Sequence, residues 1–140
     1  MARIKKSIHG QTPFQNLLGH HLKVMEAWSN LGEELEKGGH LSAELKEQVR
    51  RTLAQENGCE YCKAKGKPDP NKIDEKTSIA IGFADLFTKQ KSTISNSTFN
   101  ILKQFFSDEE ISELCAFICF MTAQQYFGAM LNLNADADTR

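Results

Sequence analysis

Apolar residues recur at three- and four-residue intervals along nearly the whole chain, and no stretch keeps the two-residue alternation of a strand. That pattern restricts the fold to helices packed on helices. Pro13 opens a turn carrying Phe14, Leu17 and Leu18, and Leu22, Met25, Trp28, Leu31 and Leu35 continue at helical spacing until Gly38-Gly39. Ser42 is placed as the N-cap of the next helix, which Leu45, Val49, Leu53 and Ala54 line on one face until Asn57-Gly58 stops it. A helix is expected from around Asp74 to Lys89, with Ile79, Phe83, Leu86 and Phe87 on a broad face, followed by a polar connection at 92–97 and a shorter helix with Phe99, Leu102 and Phe106. Ser107-Asp108-Glu109-Glu110 is a capping box, the sharpest helix start in the chain. The last helix is expected to reach about Leu133 and is apolar on almost every side between Leu114 and Ala123. A helix of that kind must be covered all round, which in a domain this small points to a subunit interface. The expected fold is a single all-α domain over 1–140 with a long, apolar last helix between copies.

Whole-chain quantities narrow the function classes. At 140 residues a chain can bury roughly 70% of the surface it exposes when unfolded, so no disulfide staple is required. A net charge of -1 offers no basic field to nucleic acid. The basic opening Met1-Ala-Arg-Ile-Lys-Lys is followed at once by polar residues rather than by an apolar stretch, so no secretory signal is read. The longest apolar run is short of the roughly 20 residues that span a bilayer. These readings give an expectation of a soluble, cytoplasmic protein, in which cysteines rest reduced and a close pair serves catalysis or metal binding.

Such a pair is Cys59-Glu60-Tyr61-Cys62, directly after the Asn57-Gly58 stop. It opens a new helix of about two turns before Gly66, Pro68 and Pro70 break it. A thiol in a first helical turn faces unpaired amides and the positive end of the dipole, which favours the thiolate, and Lys63, Lys65 and Lys67 add positive charge nearby. Helix-terminus physics favours Cys59 as nucleophile, but both cysteines are held as catalytic. Two carboxylates stand upstream. If the chain reverses at Asn57-Gly58, Glu47 faces the dithiol from three turns up the preceding helix; its spacing equally suits an ion pair with Arg50 or Arg51. Glu56 lies in the final turn, where negative charge is disfavoured. Cys115 and Cys119, at i and i+4, suit a four-thiolate zinc site with the first pair, though core packing is the stronger reading. Trp28, the phenylalanines, Met121 and Met130 read as core or interface filling, and no phosphate loop, flavin or haem motif is present.

The run from Leu41 through Glu47 and Arg50-Arg51 to Asn57-Gly-Cys59-Glu-Tyr-Cys62, the upstream Leu17-Leu-Gly-His20 and the late Phe106-Ser-Asp-Glu-Glu-Ile-Ser-Glu-Leu resemble the alkyl hydroperoxidase D and carboxymuconolactone decarboxylase-like superfamily over roughly residues 13–133. The resemblance implies an all-helical fold assembled as trimers or hexamers, with peroxidase or thiol-disulfide chemistry at the dithiol and no cofactor or metal. Cys59 and Cys62 match the family cysteines, and Glu47 matches its proton-relay glutamate. The family histidine, four residues after the second cysteine, is Gly66 here, and the histidine that some members carry between the cysteines is Tyr61. This departure points away from efficient peroxide turnover and toward slower dithiol exchange. His20, His21 or His40 would have to supply an imidazole from elsewhere; Tyr61, Glu56 and His20 are the auxiliary candidates. Expected partners are a peroxide or disulfide substrate and a dithiol reductant or redox protein, with no nucleic acid or membrane. The alternative class is a non-catalytic oligomeric scaffold; zinc binding and lactone decarboxylation rank lower.

Overall fold

Among the described residues, each α-helix begins behind a side chain that accepts one of its free amides. Thr12, His21, Ser42, Cys59, Asp74, Ser95 and Ser107 accept from the backbone N–H groups of Gln15, Val24, Leu45, Cys62, Thr77, Thr98 and Glu110 respectively. Every α-helix start is therefore written locally. The computed structural model describes residues 1–135. Among them are seven α-helices and no strand: α1 (Pro13–Leu18), α2 (Leu22–Glu36), α3 (Ala43–Glu56), α4 (Glu60–Lys63), α5 (Glu75–Gln90), α6 (Asn96–Phe105) and α7 (Asp108–Met130), with single 3₁₀ turns at Pro70–Lys72 and Lys91–Thr93. The all-α expectation holds.

Three local expectations are corrected. The apolar stripe that seemed to pass from Phe14 to Leu35 is split at Gly19, where a side chain would run into Ser7 and the Gln15 carbonyl, and α2 restarts on the His21 cap. The dithiol helix has one turn rather than two, since α4 ends at Lys63 and Gly66 follows with a left-handed φ of 91°. The third concerns the last helix. α7 is long, at 23 residues, but it is not apolar in the sense expected. Ile111, Leu114, Phe117, Ile118, Met121, Gln125 and Gly128 turn inward, whereas Ser112, Ala116, Cys119, Ala123 and Tyr126 stay exposed. Alanine and cysteine dilute the run that composition made look uniform. Among the described residues no helix is long and apolar enough to cross a membrane.

The core forms around α3. Its Leu45, Val49 and Leu53 meet Ala80, Phe83 and Ala84 of α5 and Leu114, Phe117, Ile118 and Met121 of α7 in one contiguous cluster. The α7 capping box is complete: Ser107 Oγ accepts from Glu110 N at 3.2 Å and Glu110 Oε1 accepts from Ser107 N at 3.0 Å.

A second anchor lies one turn along α7. Glu113 accepts the backbone amides of Leu41 at 2.7 Å and His40 at 3.3 Å, and stands 3.5 Å from the ammonium of Lys46, whose side chain is 1% exposed and also donates to the Lys37 carbonyl. One carboxylate thus pins the α2–α3 connection to the last helix. Glu113→Ala would leave a buried ammonium without its counter-charge and should cost about 3 kcal/mol of stability, measured as a shift in the urea midpoint at unchanged slope. A loss below about 0.5 kcal/mol, the size of an ordinary surface change, would show that the pair does not anchor the fold.

Candidate redox site at Cys59 and Cys62

The site begins where α3 stops. Asn57 caps that helix with its amide on the Leu53 carbonyl, Gly58 reverses the chain with φ of 75°, and Cys59 becomes the N-cap of α4. Cys59 and Cys62 are joined by a disulfide with Cα atoms 5.2 Å apart, and Cys59 Sγ also accepts the Cys62 amide at 3.2 Å. The two sulfurs differ in access. Cys59 is 0% exposed, whereas Cys62 is half-buried and lines an open cavity of about 400 Å³.

Behind the disulfide runs α7. A Cβ built on Gly128 would lie 2.7 Å from Cys59 Sγ and 3.8 Å from Cys62 Sγ, so the sulfur of Cys59 occupies the space that any other residue at 128 would fill. Glycine inside a helix costs up to about 1 kcal/mol relative to alanine. That cost was a legible signal of close packing, and the sequence reading passed over it.

Glu47 faces the dithiol helix through a partner. Arg50 Nε and Nη2 donate to its two carboxylate oxygens at 2.9 and 2.8 Å, and Arg51 Nε adds a third bond at 3.0 Å. Arg50, itself buried, donates from Nη1 to the Cys62 carbonyl at 3.2 Å. Both ion pairs that the spacing allowed are present, and the link to the dithiol passes through one of them. Burial alone would raise the Glu47 pKa, but the hydrogen bonds and charge of Arg50, then Arg51 and Lys65, hold it down to about 2. A carboxyl held there is ionised at neutral pH and accepts a proton poorly. Gln125 of α7 completes the frame: its amide donates to the Arg50 carbonyl at 3.3 Å and its carbonyl oxygen accepts from Asn57 Nδ2 at 2.8 Å.

The cavity that Cys62 faces has an aromatic side and a charged side. Phe14, Trp28 and Tyr61 supply the first; Glu36, Arg50 and Lys65 supply much of the second. Trp28 packs among Phe14, Phe120 and Phe127, its ring 5.5 Å from Phe120, and from there also lines the cavity, its Nε1 donating to Gln124 at 3.1 Å. Glu36 was missed by the sequence reading, although it stands in the last turn of α2, the same unfavourable position that drew attention to Glu56.

The remaining candidates are dispersed. Glu56 is exposed at the end of α3 and does not line the cavity. His20 is exposed with its ring on the Lys5 carbonyl at 2.7 Å, His21 caps α2 and His40 lies in the α2–α3 connection; none lines the cavity. Gly66 sits in a turn whose positive φ disfavours any side chain, and its carbonyl accepts from Gln55 at 3.3 Å. Lys63 pairs with Glu60 at 3.6 Å. Cys115 and Cys119 line a second, mainly apolar cavity with Phe83, Phe87, Ile94 and Phe99, away from the disulfide. Burial pushes the Cys115 thiol pKa up, assisted by Cys119. Among the described residues no three His, Cys, Asp or Glu side chains come together as metal ligands.

No family model, curated protein or solved structure matches this chain.

Two outcomes follow from this geometry. Gly128→Ala should make the disulfide easier to reduce, because a tethered sulfur cannot rotate away from the new methyl group and a free thiol can; equilibration against glutathione reads the shift, and an unchanged redox equilibrium would show that the clearance is unimportant. The second outcome concerns acid. The Glu47 carboxyl falls from an ordinary 4.5 to about 2 on folding, so its contribution is complete above pH 4.5 and is lost as pH drops toward 2. Urea unfolding across that window should show a shallower acid slope for Glu47→Gln than for the native chain, with lower stability at pH 7. Equal slopes would separate the pair from folding.

Proposed function

We propose that this chain is a dithiol oxidoreductase related to the alkyl hydroperoxidase D family, using Cys59 and Cys62 for thiol-disulfide exchange or peroxide reduction. The observation that carries the reading is the unequal access of the two sulfurs: one closed in the core, one open to a cavity that would hold a small substrate. In the reductive direction a substrate thiolate attacks Cys62 Sγ. The Cys59–Cys62 bond breaks, its electron pair goes to Cys59, and a mixed disulfide remains on Cys62. A second thiol then releases Cys62 and leaves the enzyme as the dithiol. In the oxidative direction the Cys62 thiolate attacks a peroxide oxygen, an alcohol or water departs with a proton, and Cys59 closes the disulfide on the sulfenic acid with loss of water.

Helix-start physics favoured Cys59 as nucleophile, yet a sulfur with no solvent access meets no partner. Its place under the Cys62 amide instead suits it as the leaving thiolate, which one hydrogen bond stabilises. Glu47 in this scheme is a positioning residue: it holds Arg50, and Arg50 holds the Cys62 carbonyl. The cytoplasmic setting and assembly from several copies belong to the same proposal.

Single-cysteine variants test the reading. After reduction, Cys59→Ser should capture a small aromatic disulfide quickly and retain it as a mixed disulfide detectable by intact mass, whereas Cys62→Ser should react at least ~10-fold more slowly through its enclosed thiol. The reverse order would exchange the two roles. If the native protein turns over neither a peroxide nor a small disulfide with a dithiol donor, the non-catalytic scaffold is the better account.

A further inference from the structure

We propose that Glu36 is the proton acceptor for the thiol that exchanges with Cys62, a role that rests on the dithiol reading above. Exchange needs a thiolate, and the incoming thiol is mostly protonated at neutral pH because ordinary thiols ionise near pH 8.5. A base in the cavity that takes that proton frees the reaction from its dependence on the small thiolate fraction in solution. Arg50 and Lys65 are donors only, and Glu47 is committed to two arginines. Glu36 lines the same cavity as Cys62 and, among the described residues, its carboxylate makes no hydrogen bond or ion pair. It stays at the rim, open to solvent and able to pass a proton on.

The groups around Glu36 come from three segments. Lys65 follows α4, Arg50 and Glu47 stand on α3, and Glu33 precedes it by one turn on α2. Crowding by protein atoms raises the Glu36 pKa above the ordinary carboxylate value; Lys65 and Arg50 oppose that rise, and Glu47 and Glu33 add to it. A carboxylate with a raised pKa is a stronger base than one held near 2. Glu33 also lines the cavity, but the charges acting on Glu36 include the Glu47–Arg50 pair that holds Cys62.

The step balances without any further reactant. The thiol RSH gives its proton to the Glu36 carboxylate as its sulfur bonds to Cys62 Sγ. The Cys59–Cys62 bond breaks onto Cys59, leaving RS–S–Cys62, the Cys59 thiolate and a neutral Glu36 carboxylic acid. In the opposite direction the same acid returns the proton to the departing thiolate.

The test is the pH–rate profile for reduction of the native disulfide by dithiothreitol, followed by stopped-flow or by alkylation and mass. With Glu36 as base, the rate should be nearly level between the carboxyl pKa and about pH 8.5, the thiol value. Glu36→Gln should lose that plateau and rise tenfold per pH unit, as attack by free thiolate requires, and at pH 6 it should react about tenfold or more slowly than the native protein. Glu36→Asp should restore the plateau at a reduced rate. A plateau that survives in Glu36→Gln, or one that disappears in Glu33→Gln instead, would overturn the assignment while leaving the dithiol reading in place. A native disulfide that reacts no faster than one in an unfolded peptide would overturn both.

Discussion

The buried guanidinium of Arg50 organises this end of the molecule. A charge taken out of water must be matched by hydrogen-bond partners or it destabilises the fold, and Arg50 meets that condition with both oxygens of Glu47 and the carbonyl of Cys62. Its own carbonyl receives Gln125 from α7, and Gln125 receives Asn57 from the end of α3. One chain of polar contacts thereby joins the core helix, the reversal before the cysteines, the cysteine turn and the last helix. The turn carrying the disulfide has only four helical residues and could not hold its own position. Arg50 holds it through the Cys62 carbonyl, and the buried Cys59 seats it against Gly128 of α7.

The same geometry separates tasks that sequence spacing would assign to one residue. A carboxylate locked by two arginines is a good strut and a poor base, because every interaction that holds it also favours its ionised form. Proton transfer then calls for a carboxylate without such partners. In the proposed scheme that carboxylate is Glu36, which makes no hydrogen bond or ion pair among the described residues and comes from a helix more than twenty positions away from the dithiol in the chain. The sulfurs are divided in a similar manner. Cys59 fits the hollow left by Gly128, which shields it, while Cys62 looks onto the cavity.

Much of the helical architecture was legible in the residues. Ser42, Asn57-Gly58 and the Ser107–Glu110 box end or begin helices because their side chains and backbone preferences act within a few residues, and the structure uses each of them. The reading failed where a decision belonged to distant atoms. Nothing in the spacing of Leu17 and Leu22 indicates that Ser7 closes over Gly19. The outer face of α7 looked apolar because alanine and cysteine count as apolar, yet small side chains left outside create little demand for burial.

The sequence by itself determined that this is a helical chain, where most helices start, and that two cysteines share one short turn with Glu47 twelve positions before them. Capping, periodicity and spacing are local properties, and local physics carries them. Only the tertiary structure decided which sulfur is reachable, that Glu47 reaches the dithiol through Arg50, and that Glu36 shares its cavity. Burial and electrostatic environment depend on which helices meet, and those meetings are absent from any window of sequence.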